Sequence, residues 1–142
     1  MSFILFMMNL RNLLYSFVFL SCVSFSQEKF NDENILDPDK AFVLYAFVSN
    51  NQIHASWDIK QGYYLYKKSI FLKLNKLNIE YTITEANEYS QEDKFFGESI
   101  VFKDFLRIKS MSKYDLNDAT IEIRYQGCAE AKYCYPEIIK IL

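Results

Sequence analysis

The chain has 142 residues, 16 basic and 18 acidic side chains and a single histidine, and 51% of its residues are hydrophobic. This length corresponds to one ordinary domain. No cluster of basic residues stands out, which argues against a nucleic-acid-binding protein.

Residues 1–26 differ from the rest of the chain and are predicted to be a secretory signal peptide. Arg11 is their only charged residue, and an almost wholly apolar run covers residues 13–25. Because a bilayer crossing needs roughly 20 apolar residues, an uncleaved anchor is the alternative rather than the prediction. Small residues just before Gln27 favour cleavage there. We therefore expect an exported domain.

Cys22 lies within the predicted signal peptide, and a lipidated amino-terminal cysteine is one alternative for it. Phe19 stands where a lipoprotein signal usually carries leucine, so we expect Cys22 to leave with the signal peptide. Residues 27–40 are polar and charged and are predicted to lead into a domain that covers residues 41–142.

Short apolar runs follow one another along this domain at intervals of about eight to twelve residues, as in an all-β sandwich. In one of them, Ile53, Ala55 and Trp57 alternate with polar residues, which predicts a half-buried strand with Trp57 facing the core. No segment keeps a helical period over three turns. The pattern predicts an immunoglobulin-like antiparallel β-sandwich. The predicted strands are residues 41–48, 53–59, 63–66, 70–74, 79–83, 100–108, 120–125 and 138–142.

The longest interval between predicted strands covers residues 85–98, and we predict a long loop there. Loops of this length in compact domains are usually functional or disordered. Phe95 and Phe96 lie near its polar tip, and nothing within the loop itself could bury them.

Cys128 and Cys134 follow directly on a predicted strand and are separated by five residues. That separation suits a hairpin that places the two cysteines on facing strands, within reach of a disulfide. Such a short bridge contributes only about 2.4 kcal/mol by loop closure, compared with about 4.7 kcal/mol for a loop of roughly a hundred residues. The residues alone leave a local structural disulfide and a redox pair open. No metal site is expected, because His54 is the only histidine.

The chain contains three glycines, Gly62, Gly97 and Gly127, and each lies beside an aromatic residue or a cysteine. A chain with so few glycines tends to keep them where the backbone needs a positive φ or a close approach. We therefore expect the three segments to meet at one site.

Three segments of the chain carry motifs in a distinctive order: Trp57–Lys68 (WDIKQGYYLYKK), Asp93–Gly97 (DKFFG) and Tyr125–Pro136 (YQGCAEAKYCYP). They resemble the corresponding segments of the amino-terminal periplasmic domain of the thiol:disulfide interchange protein DsbD family. The resemblance covers essentially all of residues 38–142. It implies an immunoglobulin-like fold with an active-site hairpin and a cap loop.

The resemblance also implies roles for individual residues. Cys128 and Cys134 correspond to the active cysteines, and Cys134 to the one that forms mixed disulfides with partner proteins. Phe95 corresponds to the phenylalanine that shields the cysteines until a partner docks. The other implied site residues are Asp93, Lys94, Phe96 and Gly97 in the cap loop, and Tyr64, Tyr66 and Gly127 beside the cysteines.

Lys94 departs from the family, whose cap often has a second acidic residue at this position. A lysine there could lower the pKa of a nearby thiol or simply point into solvent. This departure leaves the chemistry unchanged but puts the preference for particular partners in question.

The function implied by the resemblance is that of a thiol:disulfide interchange component, a protein-disulfide reductase module without a cofactor. Electrons would pass from a thioredoxin-like donor, attached to a membrane reductase, to oxidised periplasmic proteins with a thioredoxin fold. Expected recipients are a disulfide isomerase and a cytochrome c maturation factor. Because full-length family members continue into further domains, the chain is expected to be either a fragment or a domain encoded alone.

The alternative function is a secreted immunoglobulin-like binding module whose disulfide is purely structural. A redox titration separates the two functions. A structural bridge has a reduction potential below about −300 mV, whereas a relay requires a less negative value and reversible cycling.

Overall fold

The computed structural model describes residues 35–113, 116 and 118–142. The predicted signal peptide, Cys22 and most of the predicted leader lie outside these residues. The described chain has one short helix, α1 (Pro38–Ala41), a 3₁₀ turn (Lys67–Ser69) and eleven strands. In chain order the strands are β1 (Phe42–Ser49), β2 (Gln52–Ile59), β3 (Tyr63–Tyr66), β4 (Phe71–Leu74), β5 (Leu77–Ile79), β6 (Thr82–Asp93), β7 (Gly97–Met111), β8 (Ile121–Tyr125), β9 (Gly127–Ala129), β10 (Tyr133–Cys134) and β11 (Ile138–Ile141).

The strands form two antiparallel sheets, as the sequence predicts. The first sheet has the order β1-β2-β7-β3-β9-β10, and β6 also pairs with β7. The second has the order β11-β8-β4-β5. The long strand β7 organises the first sheet, because residues 105–111 pair with β2 while residues 101–102 pair with β3. Strand β7 therefore joins a part of the sheet built on β2 to a part built on β3, β9 and β10.

Two hairpins are closed by two-residue turns in which both residues have a positive φ. Asn50 and Asn51 connect β1 to β2 with φ values of 50° and 57°, and Asn75 and Lys76 connect β4 to β5 with values of 49° and 73°. Positive φ at both central residues is the requirement of a type I′ turn, whose twist matches that of the strands it joins. These turns set the register of both hairpins.

The sandwich is held together by one large hydrophobic cluster, called the core cluster below. Trp57 is completely buried within it, as the alternation of residues 53–59 predicts, and its ring meets the ring of Tyr125 edge-on at 5.5 Å. Burial of each large apolar side chain of this kind contributes roughly 1.5–3 kcal/mol. The core cluster consists of Ala41, Phe42, Ile53, Ala55, Trp57, Ile59, Tyr63, Leu65, Ile70, Leu72, Leu74, Phe102, Leu106, Ile108, Leu116, Ile121, Ile123, Tyr125, Ala129 and Tyr135.

The long loop predicted for residues 85–98 is wrong. Strands β6 and β7 continue through this segment as one hairpin, and only residues 94–96 form its tip. Most side chains of β6 after Thr84 are at least partly exposed, so this strand needs no alternation of apolar residues. Its backbone is held by pairing with β7 instead, and its polar composition concealed the strand from sequence analysis.

The predicted strand over residues 79–83 is also wrong in its bounds. Strand β5 ends at Ile79 in the second sheet, and β6 begins at Thr82 in the first sheet. The chain thus crosses between the sheets at residues 80–81, where the Tyr81 hydroxyl donates a 3.3 Å hydrogen bond to the Ile70 carbonyl. The apolar run was read correctly, but the change of sheet divides it.

The described end of the predicted leader contacts the sandwich. The backbone N–H of Leu36 donates to the Tyr63 hydroxyl at 2.9 Å, and the Tyr135 hydroxyl donates to the Leu36 carbonyl. The Asp37 side chain caps α1 by accepting from the backbone N–H of Asp39. Within the described residues, no helix has the length and apolar character needed to cross a membrane.

Candidate redox site

The two cysteines lie opposite each other on a short hairpin at the end of the first sheet. Strands β9 and β10 pair so that Cys128 faces Cys134, with their Cα atoms 4.0 Å apart, and a disulfide joins the two residues. The turn between the strands is held by the Lys132 N–H, which donates to the Ala129 carbonyl at 3.1 Å. The hairpin and disulfide predicted from the spacing of the cysteines are confirmed.

The two cysteines of the disulfide differ in their exposure to solvent. Cys128 is 0% exposed, whereas Cys134 is partly exposed. Thiol–disulfide exchange requires an incoming thiolate to reach one of the two sulfurs. Cys134 is therefore the more exposed of the two paired cysteines.

Strand β3 places alternate side chains on the two faces of the first sheet. Tyr63 and Leu65 belong to the core cluster, while Tyr64 and Tyr66 face the other side, and Tyr64 is the register partner of Cys128. Tyr63 therefore packs inside the sandwich. A second buried group, called the site cluster below, consists of Tyr64, Tyr66, Val101 and Cys128, with Cys134 packed against it.

The hydroxyl group of Tyr66 lies beside both sulfurs. Its oxygen is 3.4 Å from Sγ of Cys128 and 3.9 Å from Sγ of Cys134. The Tyr64 hydroxyl lies 3.4 Å from the same oxygen, and the two tyrosine rings meet edge-on at 5.3 Å. The site cluster therefore brings phenolic hydrogen-bonding groups to a sulfur that has no contact with bulk water.

Gly127 lies where the hairpin passes close to both clusters. A Cβ atom at this position would come within 2.5 Å of a ring carbon of Phe42 and of the Tyr64 carbonyl oxygen. A side chain is therefore excluded by close approach. Gly62 has φ +84° and accepts a 2.8 Å hydrogen bond from the Glu130 N–H, so it borders the same hairpin.

The tip of the β6–β7 hairpin reaches the site from another direction. The Phe96 ring packs edge-on against the Tyr66 ring at 4.8 Å, and Phe96 remains 44% exposed. Phe96 is therefore not part of the core cluster. The Asp93 backbone pairs with that of Gly97, which has φ +67° and begins β7. The Asp93 side chain lies outside the description.

Phe95 and Lys94 form the outer part of the tip. Phe95 is 43% exposed, and the Lys94 ammonium lies 5.0 Å from the centre of its ring. The same ammonium is 3.5 Å from the Ala131 carbonyl in the turn of the cysteine hairpin. Lys94 is exposed, but it contacts the Phe95 ring and the turn of the cysteine hairpin rather than solvent alone. The shielding role that the resemblance assigns to Phe95 stays a prediction.

Two residues that sequence analysis did not single out contribute to the site. Val101 is 0% exposed and completes the site cluster, where it is the register partner of Tyr66. The Ser69 hydroxyl accepts from the Gln126 N–H at 2.9 Å and lies 2.8 Å from the Tyr66 carbonyl, so it ties the end of β3 to the hairpin. The parity of β7 could have identified Val101, whereas nothing in the sequence pointed to Ser69.

Electrostatics and metal chemistry add little to the site. Burial, followed by the neighbouring Tyr63 phenol, raises the pKa of Tyr135 far above its ordinary value, so this residue next to Cys134 stays a neutral donor. In the part of the chain that the structure describes, no three His, Cys, Asp or Glu residues are grouped so that they could hold a metal ion.

An all-β sandwich whose first sheet ends in a disulfide-bonded hairpin, with one cysteine buried and the other partly exposed, has the arrangement of a thiol–disulfide exchange domain. A family model described as the amino-terminal domain of the thiol:disulfide interchange protein DsbD matches residues 32–141. The chain belongs to this family, as the three motifs imply.

Curated relatives agree with this assignment. The DsbD protein of Klebsiella pneumoniae is 32% identical over 109 residues, which are 77% of this chain and 18% of that protein. The DsbD protein of Colwellia psychrerythraea is 36% identical over 113 residues, which are 79% of this chain and 18% of that protein. The chain thus spans less than a fifth of the length of these relatives.

Solved structures with the same fold come from Neisseria meningitidis. The reduced amino-terminal domain of its DsbD superposes with a TM-score of 0.69 at 27% identity, covering 79% of this chain and 90% of that one. The same domain in a complex with the PilB amino-terminal domain gives a TM-score of 0.62 at 28% identity, covering 77% of this chain and 86% of that one. The predicted immunoglobulin-like fold is confirmed.

Proposed function

We propose that this domain is a periplasmic electron relay, in which the Cys128–Cys134 disulfide is reduced by a thioredoxin-like donor and reoxidised by partner proteins. The observation that carries the proposal is the unequal burial of the two paired cysteines, 0% exposed at Cys128 and partial at Cys134. A purely structural bridge has no need for one accessible sulfur.

The first half of the cycle reduces the disulfide. A donor thiolate attacks Sγ of Cys134, the intramolecular S–S bond breaks, and Cys128 leaves as a thiolate that takes up a proton. A second donor thiolate then attacks the donor sulfur of the mixed disulfide, so the donor leaves oxidised and Cys134 is released as a thiolate. Two electrons have then passed from the donor to the pair.

The second half of the cycle passes these electrons on. The Cys134 thiolate attacks a partner disulfide and forms a mixed disulfide, while one partner sulfur leaves as a thiolate. Cys128 then attacks Sγ of Cys134, which restores the internal bond and releases the partner with both of its cysteines reduced. Cys128 acts only inside the domain, in agreement with its burial.

Tyr66 is proposed to assist at the buried sulfur. A thiolate that forms at Cys128 has lost its contact with water, and a buried anion without a hydrogen-bond donor is costly. The Tyr66 hydroxyl lies 3.4 Å from this sulfur and can donate to it. Tyr64 is proposed to support Tyr66, because the two hydroxyl oxygens are 3.4 Å apart.

Residues 93–97 are proposed to act as the cap of the site. A cap over the pair limits its reaction with small oxidants in an oxidising compartment and has to move when a partner docks. The contact between the Phe96 and Tyr66 rings supports this role. Phe95 and Asp93 are included because of the family resemblance.

The partners are proposed to be proteins with a thioredoxin fold, including a disulfide isomerase and a cytochrome c maturation factor as recipients. The Neisseria domain that resembles this chain has been solved in a complex with the PilB amino-terminal domain, which supports docking of another protein domain. The electron donor is proposed to belong to a membrane reductase.

Capture of mixed disulfides tests the relay. The Cys128→Ser variant in its reduced form should trap an oxidised disulfide isomerase through Cys134, because the resolving cysteine is absent. The bond should appear on a non-reducing gel and disappear with a reductant. The matched Cys134→Ser variant should trap far less, since its remaining cysteine is buried. Equal capture by the two variants, or none by either, would contradict the proposal.

A redox titration of the domain separates the relay from a structural disulfide. The relay predicts reversible cycling with a reduction potential less negative than about −300 mV. A more negative potential would favour the secreted binding module instead.

A further inference from the structure

Lys68 lies beside the cap and has no role in the cycle described above. It follows β3 in the 3₁₀ turn of residues 67–69 and is exposed to solvent. Its ammonium lies 4.7 Å from the centre of the Phe96 ring and 5.9 Å from the centre of the Tyr66 ring. A cation within about 6 Å of a ring centroid is attracted by the negative face of the ring.

These two rings belong to different parts of the molecule. Tyr66 ends β3 and contacts both sulfurs, whereas Phe96 lies at the tip of the β6–β7 hairpin. Among the described residues, Lys68 is the only cation that lies close to both rings. Its ammonium therefore bridges the tip of the β6–β7 hairpin and the site cluster. Opening of the cap separates Phe96 from Tyr66 and removes at least one of the two contacts.

The neighbouring Lys67 shows that this contact is not a general property of the turn. The Lys67 ammonium pairs with the Glu88 carboxylate at 2.8 Å. Among the described side chains, Lys68 makes no ion pair, and its two aromatic contacts are those with Phe96 and Tyr66. The two adjacent lysines therefore have different partners and offer a matched comparison.

We propose that Lys68 is a positioning residue that holds the cap closed over the Cys128–Cys134 disulfide through its contacts with Phe96 and Tyr66. The inference rests on the proposed function, since it concerns access to the same redox pair. Lys68 does not touch the reacting sulfurs and acts through Phe96. A docking partner has to displace this contact before its own sulfur reaches Cys134.

The strength of the contact sets the expected effect. A cation–π contact at an exposed site shifts an equilibrium by about two- to fivefold. Loss of the Lys68 charge should therefore increase the open fraction of the cap, and the rate of reduction through it, by the same factor of about two to five.

Reduction of the oxidised domain by dithiothreitol measures access to the pair without any partner. One thiolate of the reagent attacks Sγ of Cys134 and Cys128 leaves. The second thiol of the reagent then closes the reagent into its cyclic disulfide and frees Cys134. Lys68→Met keeps the apolar stem and removes the charge, and this variant should be reduced about two to five times faster than the parent domain.

Three control variants make the test specific. Lys67→Met removes a neighbouring charge and an ion pair, and should be reduced at the parent rate. Lys68→Arg should also keep the parent rate, because a guanidinium makes the same contact with aromatic rings. In a Phe96→Ala background, Lys68→Met should add almost nothing, because the ring that links Lys68 to the cap is already absent.

The opposite results would overturn the proposal. A simple electrostatic role would slow reduction in Lys68→Met, because the positive charge attracts the thiolate of the reagent. Equal acceleration in Lys67→Met, or an additive effect in the Phe96→Ala background, would show that Lys68 does not act through the cap. Failure of the relay itself would appear elsewhere, as absent mixed disulfides in Cys128→Ser with unchanged differences in these reduction rates.

Discussion

The two faces of β3 are both buried, but different parts of the molecule bury them. Tyr63 and Leu65 enter the core cluster between the two sheets, among twenty buried residues. Tyr64 and Tyr66 enter the site cluster, which has four buried residues and contains Cys128. One strand therefore contributes to the stability of the fold on one face and to the proposed chemistry on the other.

The domain thus keeps the residues that stabilise its fold, in the core cluster, apart from the residues of the proposed chemistry, in the site cluster. The core cluster is covered by two sheets, and its residues cannot be uncovered without separating the sandwich. Next to the site cluster, Phe96 packs on Tyr66 from a three-residue hairpin tip and remains 44% exposed. A contact of this size can open locally while the rest of the domain stays folded.

The largest loss of stability should follow a substitution in the core cluster, the replacement of Trp57 by alanine. Trp57→Ala leaves a large cavity in the core cluster and should lower the free energy of unfolding by about 3–5 kcal/mol, measured by urea denaturation. In the fraction that remains folded, the rate of disulfide reduction by dithiothreitol should stay unchanged. A loss below about 1 kcal/mol would contradict the central position of this side chain.

Gly127→Ala tests the point where the two clusters meet. The new Cβ would clash with the Phe42 ring and with the Tyr64 backbone, so unfolding should be easier by about 1–3 kcal/mol and reduction of the disulfide should also change in rate. Gly62→Ala is the control, since its Cβ meets no atom within 4 Å but must adopt φ +84°. It should cost about 1–2 kcal/mol without altering the reduction rate. Equal behaviour of the two variants would contradict a special role for Gly127.

Tyr66→Phe separates the hydroxyl group from the ring. The variant keeps the aromatic contacts but loses the donor beside the buried Cys128 sulfur, so reduction by dithiothreitol should slow by about tenfold. The free energy of unfolding should change by less than about 1.5 kcal/mol. Tyr64→Phe should show a smaller effect on the rate. An unchanged rate in Tyr66→Phe would remove this residue from the proposed mechanism.

The smallest effects on stability should come from the cap. Phe96→Ala removes the ring that packs on Tyr66 and should speed reduction of the disulfide by about two- to tenfold, the range expected for loss of an aromatic pair. Its thermal unfolding should hardly change, because the side chain is 44% exposed. Phe95→Ala tests the role implied by the family resemblance. A larger acceleration in Phe95→Ala than in Phe96→Ala would make Phe95 the principal shield.

Much of the architecture could be predicted because strand signals are local. The alternation in residues 53–59 places Trp57 in the core, and strand β3 (Tyr63–Tyr66) has the predicted bounds. The bounds that were wrong lie where tertiary context overrides local pattern. Residues 85–92 are mostly polar because they belong to an edge strand whose side chains are at least partly exposed, and the apolar run of residues 79–83 is divided because the chain changes sheets there.

The sequence by itself determined the strand-rich fold, the cysteine hairpin and the family, because each depends on short segments whose order and spacing can be read along the chain. Only the tertiary structure decided how the site is assembled. The burial of Cys128, the position of the Tyr66 hydroxyl beside the two sulfurs, and the contacts of Phe96 and Lys68 depend on strands far apart in sequence. The physical reason is that sheet register and hairpin packing bring these groups together, and a linear pattern does not encode the distances between them.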